Sequence, residues 1–199
     1  MRLSTHLAAF LRLPRPARRF YLRAATTAIR VRDGWSLKIA VRPVELEKLL
    51  QLARGGPVAE VGTGTGWCAL LLAECGLEVF TCDRIEPPQR KLYLSLVPPE
   101  AAKRVRFSDR PGEHGPPNGT RFKLLFLDAS HKRDETIAIF RAWEAAVAPG
   151  GAVAFHDYTQ IWPGVVDAIN ALGLEGTTHG ALFVWQKPQH LGTMRIDPD

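Results

Sequence analysis

One stretch of sequence decides the fold of this chain, Val58-Ala59-Glu60-Val61-Gly62-Thr63-Gly64-Thr65-Gly66. An apolar strand carrying an acid runs into three alternating glycines, the pattern of a tight strand-to-helix turn that lies against a nucleotide. Glycine suits this turn because it adopts positive φ and lets backbone approach a ligand closely. Asp83 ends the next apolar run, 21 positions after Gly62, where a second strand presents a carboxylate to a ribose hydroxyl. We therefore expect a cofactor site here rather than an ordinary turn.

The glycine spacing separates this turn from two better-known ones. A dinucleotide-binding turn reads G-x-G-x-x-G, but counted from Gly62 the sixth position is Trp67, and the third glycine comes one place early at Gly66. No Gly-Lys-Ser/Thr follows, so the phosphate-binding P-loop is excluded as well. The motif instead resembles the S-adenosylmethionine site of the class I methyltransferases. That resemblance implies Glu60 near the methionine end, the turn (Gly62, Thr63, Gly64 and Gly66) under the cofactor, and Asp83 on the ribose.

Short apolar runs alternate with helical stretches from residue 57 to residue 186. Alternation of this kind predicts right-handed β-α-β units and an α/β, Rossmann-like, doubly wound sheet that is mostly parallel, with helices on both faces. The resemblance implies seven strands, the terminal one antiparallel and folded back as a hairpin over residues 174–186. We predict a helical N-terminal extension at 1–42, a methyltransferase domain at 43–188 and a C-terminal tail at 189–199.

The positive charge of this chain is concentrated at its beginning. Residues 1–32 carry eight arginines and no acid, so the other 167 residues sum to −2 within a net charge of +6. Apolar residues at helical spacing predict two amphipathic helices broken at Pro14 and Pro16. These helices either pack on the domain or a second subunit, or dock on an anionic membrane surface or an acidic partner. The first alternative is the more ordinary one.

Length and cysteine content limit the classes to which this protein can belong. A chain of 199 residues suits one compact domain with a short extension. No apolar stretch is long enough for a membrane span and the start lacks the features of a secretory signal, so we expect a cytoplasmic protein. Three cysteines, Cys68, Cys75 and Cys82, lie in or beside apolar segments, which favours buried free thiols over a disulfide or metal framework.

Polar residues end the two strands that follow. Asp128 closes the run Leu124-Leu125-Phe126-Leu127, and His156 and Asp157 close the run Ala152 to Phe155. Ligands of an open parallel sheet bind at the carboxyl ends of its strands, so we expect Asp128 and Asp157 to converge there. Two neighbouring carboxylates repel unless a cation, a proton or a donor lies between them, and Mg²⁺ prefers such oxygens.

The same segments, with Ser130-His131, Phe140 to Trp143 and Pro149-Gly150-Gly151, resemble small-molecule O-methyltransferases related to cephalosporin hydroxylase and macrolide sugar methyltransferases. The resemblance spans residues 57 to 187 and implies Asp128 and Asp157 as ligands of Mg²⁺ or another divalent cation, with Asp128 also beside the cofactor. His156 stands where many relatives have another acid. It is either a third ligand or, because successive strand residues point oppositely, a residue hydrogen-bonded behind the sheet.

Further site residues are expected around the same edge. His131 is placed where a base could take a proton from the acceptor hydroxyl, and His156 is a second catalytic candidate. The alternative for His131 is a helix cap or a hydrated loop. Ser108 and Asp109 end the third strand and are expected at the adenine by analogy, or as local loop caps. Trp162 could wall the substrate pocket, whereas Trp143 and Trp185 are expected to pack in the core.

These expectations combine into one function with two alternatives. We expect transfer of a methyl group from S-adenosylmethionine to a hydroxyl of a small molecule, aided by a divalent ion. The alternatives are metal-free transfer using a histidine base, and a cofactor-binding scaffold without turnover. Nucleic acid is an improbable substrate because the body of the chain is near neutral. A homodimer is a further expectation that the sequence does not test.

Overall fold

The computed structural model describes residues 3–117 and 119–189, so the C-terminal tail expected at 189–199 lies outside the described residues except for its first position. Its helices are α1 (Leu3–Arg12), α2 (Arg15–Arg30), α3 (Gly34–Ile39), α4 (Pro43–Leu52), α5 (Trp67–Glu74), α6 (Gln89–Leu94), α7 (Pro99–Ala102), α8 (Arg133–Trp143) and α9 (Pro163–Ala171). Its strands are β1 (Val58–Val61), β2 (Val79–Cys82), β3 (Val105–Ser108), β4 (Phe122–Leu127), β5 (Val147–Phe155), β6 (Gly176–His179) and β7 (Leu182–Gln186). Helix and strand alternate from β1 onward, as the sequence predicts.

The strands form one seven-stranded sheet in the order β3-β2-β1-β4-β5-β7-β6. The first five are mutually parallel, and β7 runs antiparallel to both β5 and β6. The predicted doubly wound sheet and the terminal hairpin are therefore confirmed, and the last strand of the chain inserts between β5 and β6. The connections leave β1 and β4 in opposite directions, so a crevice opens at the carboxyl ends of these two neighbours.

Helices cover both faces of the sheet and separate two apolar clusters. One cluster lies under α4 and α5 and includes Leu49, Leu70 and Phe126. The other lies under α8 and α9 and includes Phe140, Trp143 and Ile169. Burial of Trp143 confirms its packing role, while Trp185 is partly buried against the second cluster. None of the described helices is long and apolar enough to cross a bilayer.

The N-terminal extension packs on the domain. Pro14 separates α1 from α2, as predicted, whereas Pro16 lies in the first turn of α2, where a proline is tolerated. α2 buries Ala17, Phe20 and Ala24 at helical spacing in the first cluster. Ion pairs join α1 to α4 through Arg12 and Glu47, and α2 to α5 through Arg23 and Glu74. The structure shows this segment packed against its own domain, with the outer side of α2 left exposed.

Three regions depart from the sequence prediction. β5 begins at Val147 rather than Ala152, because Gly150 and Gly151 pair with Lys187 at the end of the last strand. The sequence prediction also left out α3 and α7. α3 is only six residues long, too short for a periodic pattern, and begins at Asp33, whose carboxylate accepts the Ser36 N–H at 3.0 Å.

Candidate active site

A cavity of about 850 Å³ opens at the carboxyl ends of β1 and β4. The glycine turn, the ends of β4 and β5, the start of α4 and the helix α3 surround it. Its lining includes these residues predicted from sequence: Glu60, Gly62, Thr63, Gly64, Asp83, Asp128, His131, His156, Asp157 and Trp162. Residues far apart in the sequence thus meet at the switch point of the sheet, where α/β domains bind their ligands.

The glycine turn is shaped by its contact with the end of β4. Gly62 has φ of +104°, and a Cβ at this position would overlap the carbonyl oxygen of Asp128. Gly64 also has positive φ, and Ile39 of α3 lies directly over it. Gly66 (φ +86°) begins α5 behind the turn and is outside the cavity lining. The first two glycines are therefore required by close packing and backbone conformation, with no side chain filling the cavity floor.

Asp83 faces the cavity from the end of β2. Its carboxylate accepts the N–H of Gly64 at 2.9 Å and the N–H of Ile85 at 3.3 Å, which ties the two cofactor-side loops together. Arg90, which no sequence pattern singled out, is buried behind them and donates to the carbonyl oxygens of Gly64 and Ile85. The two loops are thus held at a fixed separation by charged hydrogen bonds.

Glu60 lies at the buried floor of the cavity. The Thr81 hydroxyl donates to its carboxylate, and Thr81 also lies 2.7 Å from the Thr63 hydroxyl. Burial raises the pKa of Glu60 to about 8, despite the opposing hydrogen bond from Thr81. Glu60 lines the cavity, and its position near the methionine end of the cofactor stays a prediction.

Asp128, His156 and Asp157 form an acid-histidine cluster, with one ligand atom from each within 4.8 Å of the others. His156 Nδ1 lies 2.9 Å from Asp128 Oδ1 and 3.5 Å from Asp157 Oδ2. Asp157 has φ of +57°, a conformation that costs free energy in a non-glycine residue and is tolerated best by Asp and Asn. The convergence of the two acids agrees with the prediction, and His156 lines the cavity rather than being hidden behind the sheet.

His156 is surrounded by carboxylates on both sides of its ring. Burial acts to lower its pKa, but the charge and hydrogen bonds of Asp128, Asp157 and Glu45 outweigh burial and raise the pKa to about 12. Burial likewise acts to raise the pKa of Asp157, and hydrogen bonds from His156 and His131 more than offset it and lower the pKa. A positively charged imidazolium therefore separates the two aspartates when no other cation is bound.

Glu45 completes this cluster, and no sequence pattern singled it out. It is fully buried at the start of α4, where its carboxylate accepts the N–H of Arg42 and the N–H of Ala181, both at 2.9 Å. Its Oε2 also lies 3.4 Å from His156 Nε2. Glu45 is separated from His156 by 111 positions. In the sequence, Glu45 is only an acid at the third position of a helix that begins with proline. Acids are common in the first turn of a helix, so this position did not indicate a functional residue.

His131 follows the end of β4 and is fixed from two directions. Its Nε2 lies 2.7 Å from Asp157 Oδ2, and its ring stacks on Trp162 with centroids 3.8 Å apart and planes within 13°. α8 begins at Arg133 without a side-chain cap, so the alternative role of His131 as a helix cap is not seen. The Asp157 carboxylate can only accept a hydrogen bond, so the bonded Nε2 of His131 carries a hydrogen. In the neutral ring, Nδ1 then keeps its lone pair.

Ser108 and Asp109, like Gly66, are predicted cofactor residues that the cavity lining does not include. Asp109 is exposed and lies 3.9 Å from Arg90, while Gly112 and Glu113 line the cavity on this side. Ser108 is the last residue of β3, and Asp109 follows it directly. Their contact with adenine stays a prediction that the lining does not favour.

α3 covers the cavity from the side opposite β4, with Trp35, Lys38 and Ile39 in the lining. It is anchored by Asp33, whose Oδ2 accepts the Ser36 hydroxyl at 2.5 Å and the Tyr93 hydroxyl at 2.7 Å. These hydrogen bonds lower the pKa of Asp33 against the opposing effect of burial. A buried carboxylate shared by α3 and α6 thus holds the cover in place.

Replacing Tyr93 with phenylalanine is expected to reduce the free energy of unfolding by about 1–2 kcal/mol, because a buried carboxylate loses a donor. Limited proteolysis is expected to cut faster between α2 and α4 in this variant. Chemical denaturation and digestion rates measure the two effects. Tyr21→Phe is the matched control, since the described residues give the Tyr21 hydroxyl no hydrogen-bond partner. Equal behaviour of the two variants would contradict an anchoring role for Tyr93.

A family model described as a methyltransferase domain matches residues 59–158, just over half of the chain. The chain belongs to this methyltransferase family. The match runs from β1 through Asp157 and thus contains the glycine turn, Asp83 and the acid-histidine cluster. The recognition of a class I S-adenosylmethionine-dependent methyltransferase from sequence is confirmed.

Two solved structures, NovP and TrmN, share the fold of this methyltransferase. The O-methyltransferase NovP is 19% identical with a TM-score of 0.53, and the match covers 72% of this chain and 79% of NovP. TrmN from Thermus thermophilus is 23% identical with a TM-score of 0.53, over 74% of this chain and 49% of TrmN. The CcbJ methyltransferase from Streptomyces caelestis is 26% identical with a TM-score of 0.47, over 53% of this chain and 44% of CcbJ. The matched part therefore spans less than half of the CcbJ and TrmN chains.

Proposed function

We propose that this methyltransferase transfers the methyl group of S-adenosylmethionine to a hydroxyl group of a small molecule, with His131 as the base. The single observation that carries the proposal is the fixed pair of His131 and Asp157 at the mouth of a cavity whose floor is the glycine turn. A base beside the cofactor pocket is the group that a hydroxyl acceptor requires, because a neutral alcohol is a weak nucleophile.

The transfer is a displacement at carbon. The acceptor oxygen attacks the sulfonium methyl group, the carbon–sulfur bond breaks, and S-adenosylhomocysteine leaves with the bonding electron pair. The hydroxyl proton passes to Nδ1 of His131, and Asp157 stabilises the imidazolium that forms. No covalent intermediate with the protein is needed, so orientation of acceptor and cofactor supplies much of the rate.

Cofactor binding is assigned to the other half of the cavity. Asp83 is proposed to bind the ribose hydroxyls, Gly62, Thr63 and Gly64 to lie under the cofactor, and Glu60 to lie near its methionine end. Asp128 borders both halves, because it follows β4 beside the turn at Gly62. The proposed cofactor residues thus lie at the ends of β1 and β2, and the proposed acceptor residues lie at the ends of β4 and β5.

The donor atoms of the acid-histidine cluster fit one divalent cation. Asp128, His156 and Asp157 offer two oxygens and one nitrogen within 4.8 Å. Nitrogen beside oxygen suits Mn²⁺, Fe²⁺ or Zn²⁺ better than Mg²⁺, which prefers oxygen alone. An ion held there would orient the acceptor oxygen and lower its pKa. The chain's own residues would still bind the cofactor and take the proton at His131.

Metal-free transfer is the second candidate, and a specific contact favours it. His156 already pairs directly with Asp128 at 2.9 Å and lies between the two aspartates, where its positive charge takes the place of an ion. In that case the imidazolium and Asp128 would form part of the acceptor wall. A cofactor-binding scaffold without turnover is the third candidate.

Incubation of the purified chain with S-adenosylmethionine and a panel of small hydroxyl compounds tests the proposal, with release of S-adenosylhomocysteine as the readout. Turnover with at least one acceptor is expected. Tight cofactor binding without turnover on any acceptor would favour the scaffold and contradict methyl transfer. Cytoplasmic location and a homodimer stay predictions.

Removal of divalent ions is expected to lower kcat at least about tenfold if an ion holds the acceptor, since an ion contributes several kcal/mol of charge stabilisation. Activity is measured after treatment with EDTA and again after addition of Mn²⁺ or Mg²⁺. Recovery on addition of the ion is the expected result. Full activity in the chelated sample would remove the ion from the mechanism and leave the histidine-only version.

A further inference from the structure

Exposed apolar side chains are concentrated in the first fifth of this chain. The large apolar residues at least about one-third exposed in the described residues number eleven, and eight of them lie between residues 7 and 39. Ile29 is 68% exposed and Leu22 is 55% exposed. Isolated exposed apolar residues are normal, but clustering on one segment marks an interaction surface.

α2 carries two of these residues, Leu22 and Ile29, on a stripe together with arginines. Positions 15, 19, 22, 26 and 29 follow one another at spacings of three and four and point away from the buried stripe of Ala17, Phe20 and Ala24. Arg30, Val31 and Arg32, which follow this stripe, are exposed as well. We call the combined surface the basic face and define it as Arg15, Arg19, Leu22, Ile29, Arg30, Val31 and Arg32. No acid occurs before Asp33, and Asp33 is buried in its own hydrogen bonds.

The arginines of the basic face are available to an outside partner. Arg12 and Arg23 pair with Glu47 and Glu74 along the packed side of the helices. Within residues 3–117 and 119–189, by contrast, Arg15, Arg19, Arg30 and Arg32 make no ion pair with an acid. The face therefore presents uncompensated positive charge beside exposed aliphatic side chains.

We propose that the basic face docks on the surface of an anionic lipid membrane. A bilayer interface accepts both features at once, because aliphatic side chains enter the acyl boundary while arginines meet anionic headgroups. A nucleic acid would meet the arginines but offers no place for Leu22 and Ile29. A second copy placed face to face would bring the same arginines together, and like charges repel across such a symmetric contact.

The basic face lies beside the segment that covers the cavity. α3 follows α2 directly, and its Trp35, Leu37 and Ile39 continue the exposed apolar series. Trp35 and Ile39 also line the cavity, so the docked surface would border the mouth of the active site. The docking itself is independent of whether methyl transfer occurs.

Vesicle sedimentation of the full chain tests the proposal, using phosphatidylcholine vesicles with and without phosphatidylglycerol. Binding is expected to be at least about tenfold stronger to the anionic vesicles and to weaken in high salt. Ile29→Glu and Arg19→Glu are each expected to reduce binding about tenfold. Their matched controls, Ile161→Glu and Lys103→Glu, replace exposed residues elsewhere on the surface and are expected to bind as the parent does.

Circular dichroism confirms that each variant is folded, and sedimentation velocity measures self-association in the absence of lipid. Equal binding to neutral and anionic vesicles, no binding to either, or equal losses in Ile29→Glu and Ile161→Glu would overturn the proposal. A dimer that Ile29→Glu dissociates, without lipid binding by the parent, would assign the face to a second copy and overturn it as well. Cofactor titration stays normal in every variant if docking is separate from the active site.

Discussion

Replacing His131 with alanine is expected to lower kcat by about two to four orders of magnitude, the usual contribution of a positioned general base. The effect follows from the geometry: Asp157 holds Nε2 at 2.7 Å and Trp162 stacks on the ring, so the remaining nitrogen has one fixed direction. The affinity for S-adenosylmethionine is expected to change little, because His131 lies beyond the glycine turn. Steady-state kinetics and calorimetric titration measure the two quantities separately.

Controls distinguish a base from a structural residue. His114→Ala removes an exposed imidazole from a loop outside the cavity lining and is expected to leave kcat unchanged. Added imidazole is expected to restore part of the activity of His131→Ala, since a small base can enter the space left behind. Trp162→Phe keeps an aromatic ring against His131 and is expected to lose less activity than Trp162→Ala. Full kcat in His131→Ala would show that another group takes the proton.

Replacing Asp83 with alanine is expected to weaken the binding of S-adenosylmethionine about 100-fold. Hydrogen bonds to a charged group contribute about 1.5–3 kcal/mol each, and two ribose hydroxyls are available to one carboxylate. The substitution also removes the acceptor of the Gly64 N–H at 2.9 Å, which loosens the turn under the cofactor. Calorimetry with the cofactor alone measures the loss without depending on any acceptor.

Asp157→Ala is the matched comparison for Asp83→Ala. Both substitutions remove a partly buried strand-end carboxylate from the same cavity. Asp157→Ala, on the acceptor side of the cavity, is expected to alter cofactor affinity only a few-fold while it reduces turnover. Asp83→Asn, which keeps the shape and loses the charge, is expected to fall between alanine and the parent. Equal losses of cofactor affinity in Asp83→Ala and Asp157→Ala would contradict the division of roles.

Sequence reasoning located the half of the site that depends on local pattern. The glycine turn could be predicted because three glycines in five positions are typical of a ligand-binding turn. Asp83 could be predicted because it ends the next apolar strand. Asp128 and Asp157 were predicted to meet because parallel strands place their carboxyl ends at one edge of the sheet. In each case a short segment carries the information, and the fold class supplies the rest.

Residues that act through distant partners were not predicted. Glu45 reaches His156 across 111 positions, and Arg90 fixes the turn at Gly64 from a helix of ordinary composition. Asp33 and Tyr93 meet across 60 positions to anchor α3. A buried Glu, Arg or Asp looks in sequence like its many exposed counterparts, because its partner is chosen by packing and not by spacing.

The sequence by itself determined the class I fold, the cofactor turn and the strand-end acids, since hydrophobic periodicity and glycine conformation act over a few residues. Only the tertiary structure decided that His156 faces the cavity between three carboxylates, that Trp162 holds His131, and that Ser108 and Asp109 are outside the cavity lining. It also decided that the arginine-rich helices pack on the domain and keep one charged stripe exposed. The direction of a side chain depends on the turn and on neighbouring helices, and those are set by contacts between segments far apart in the chain.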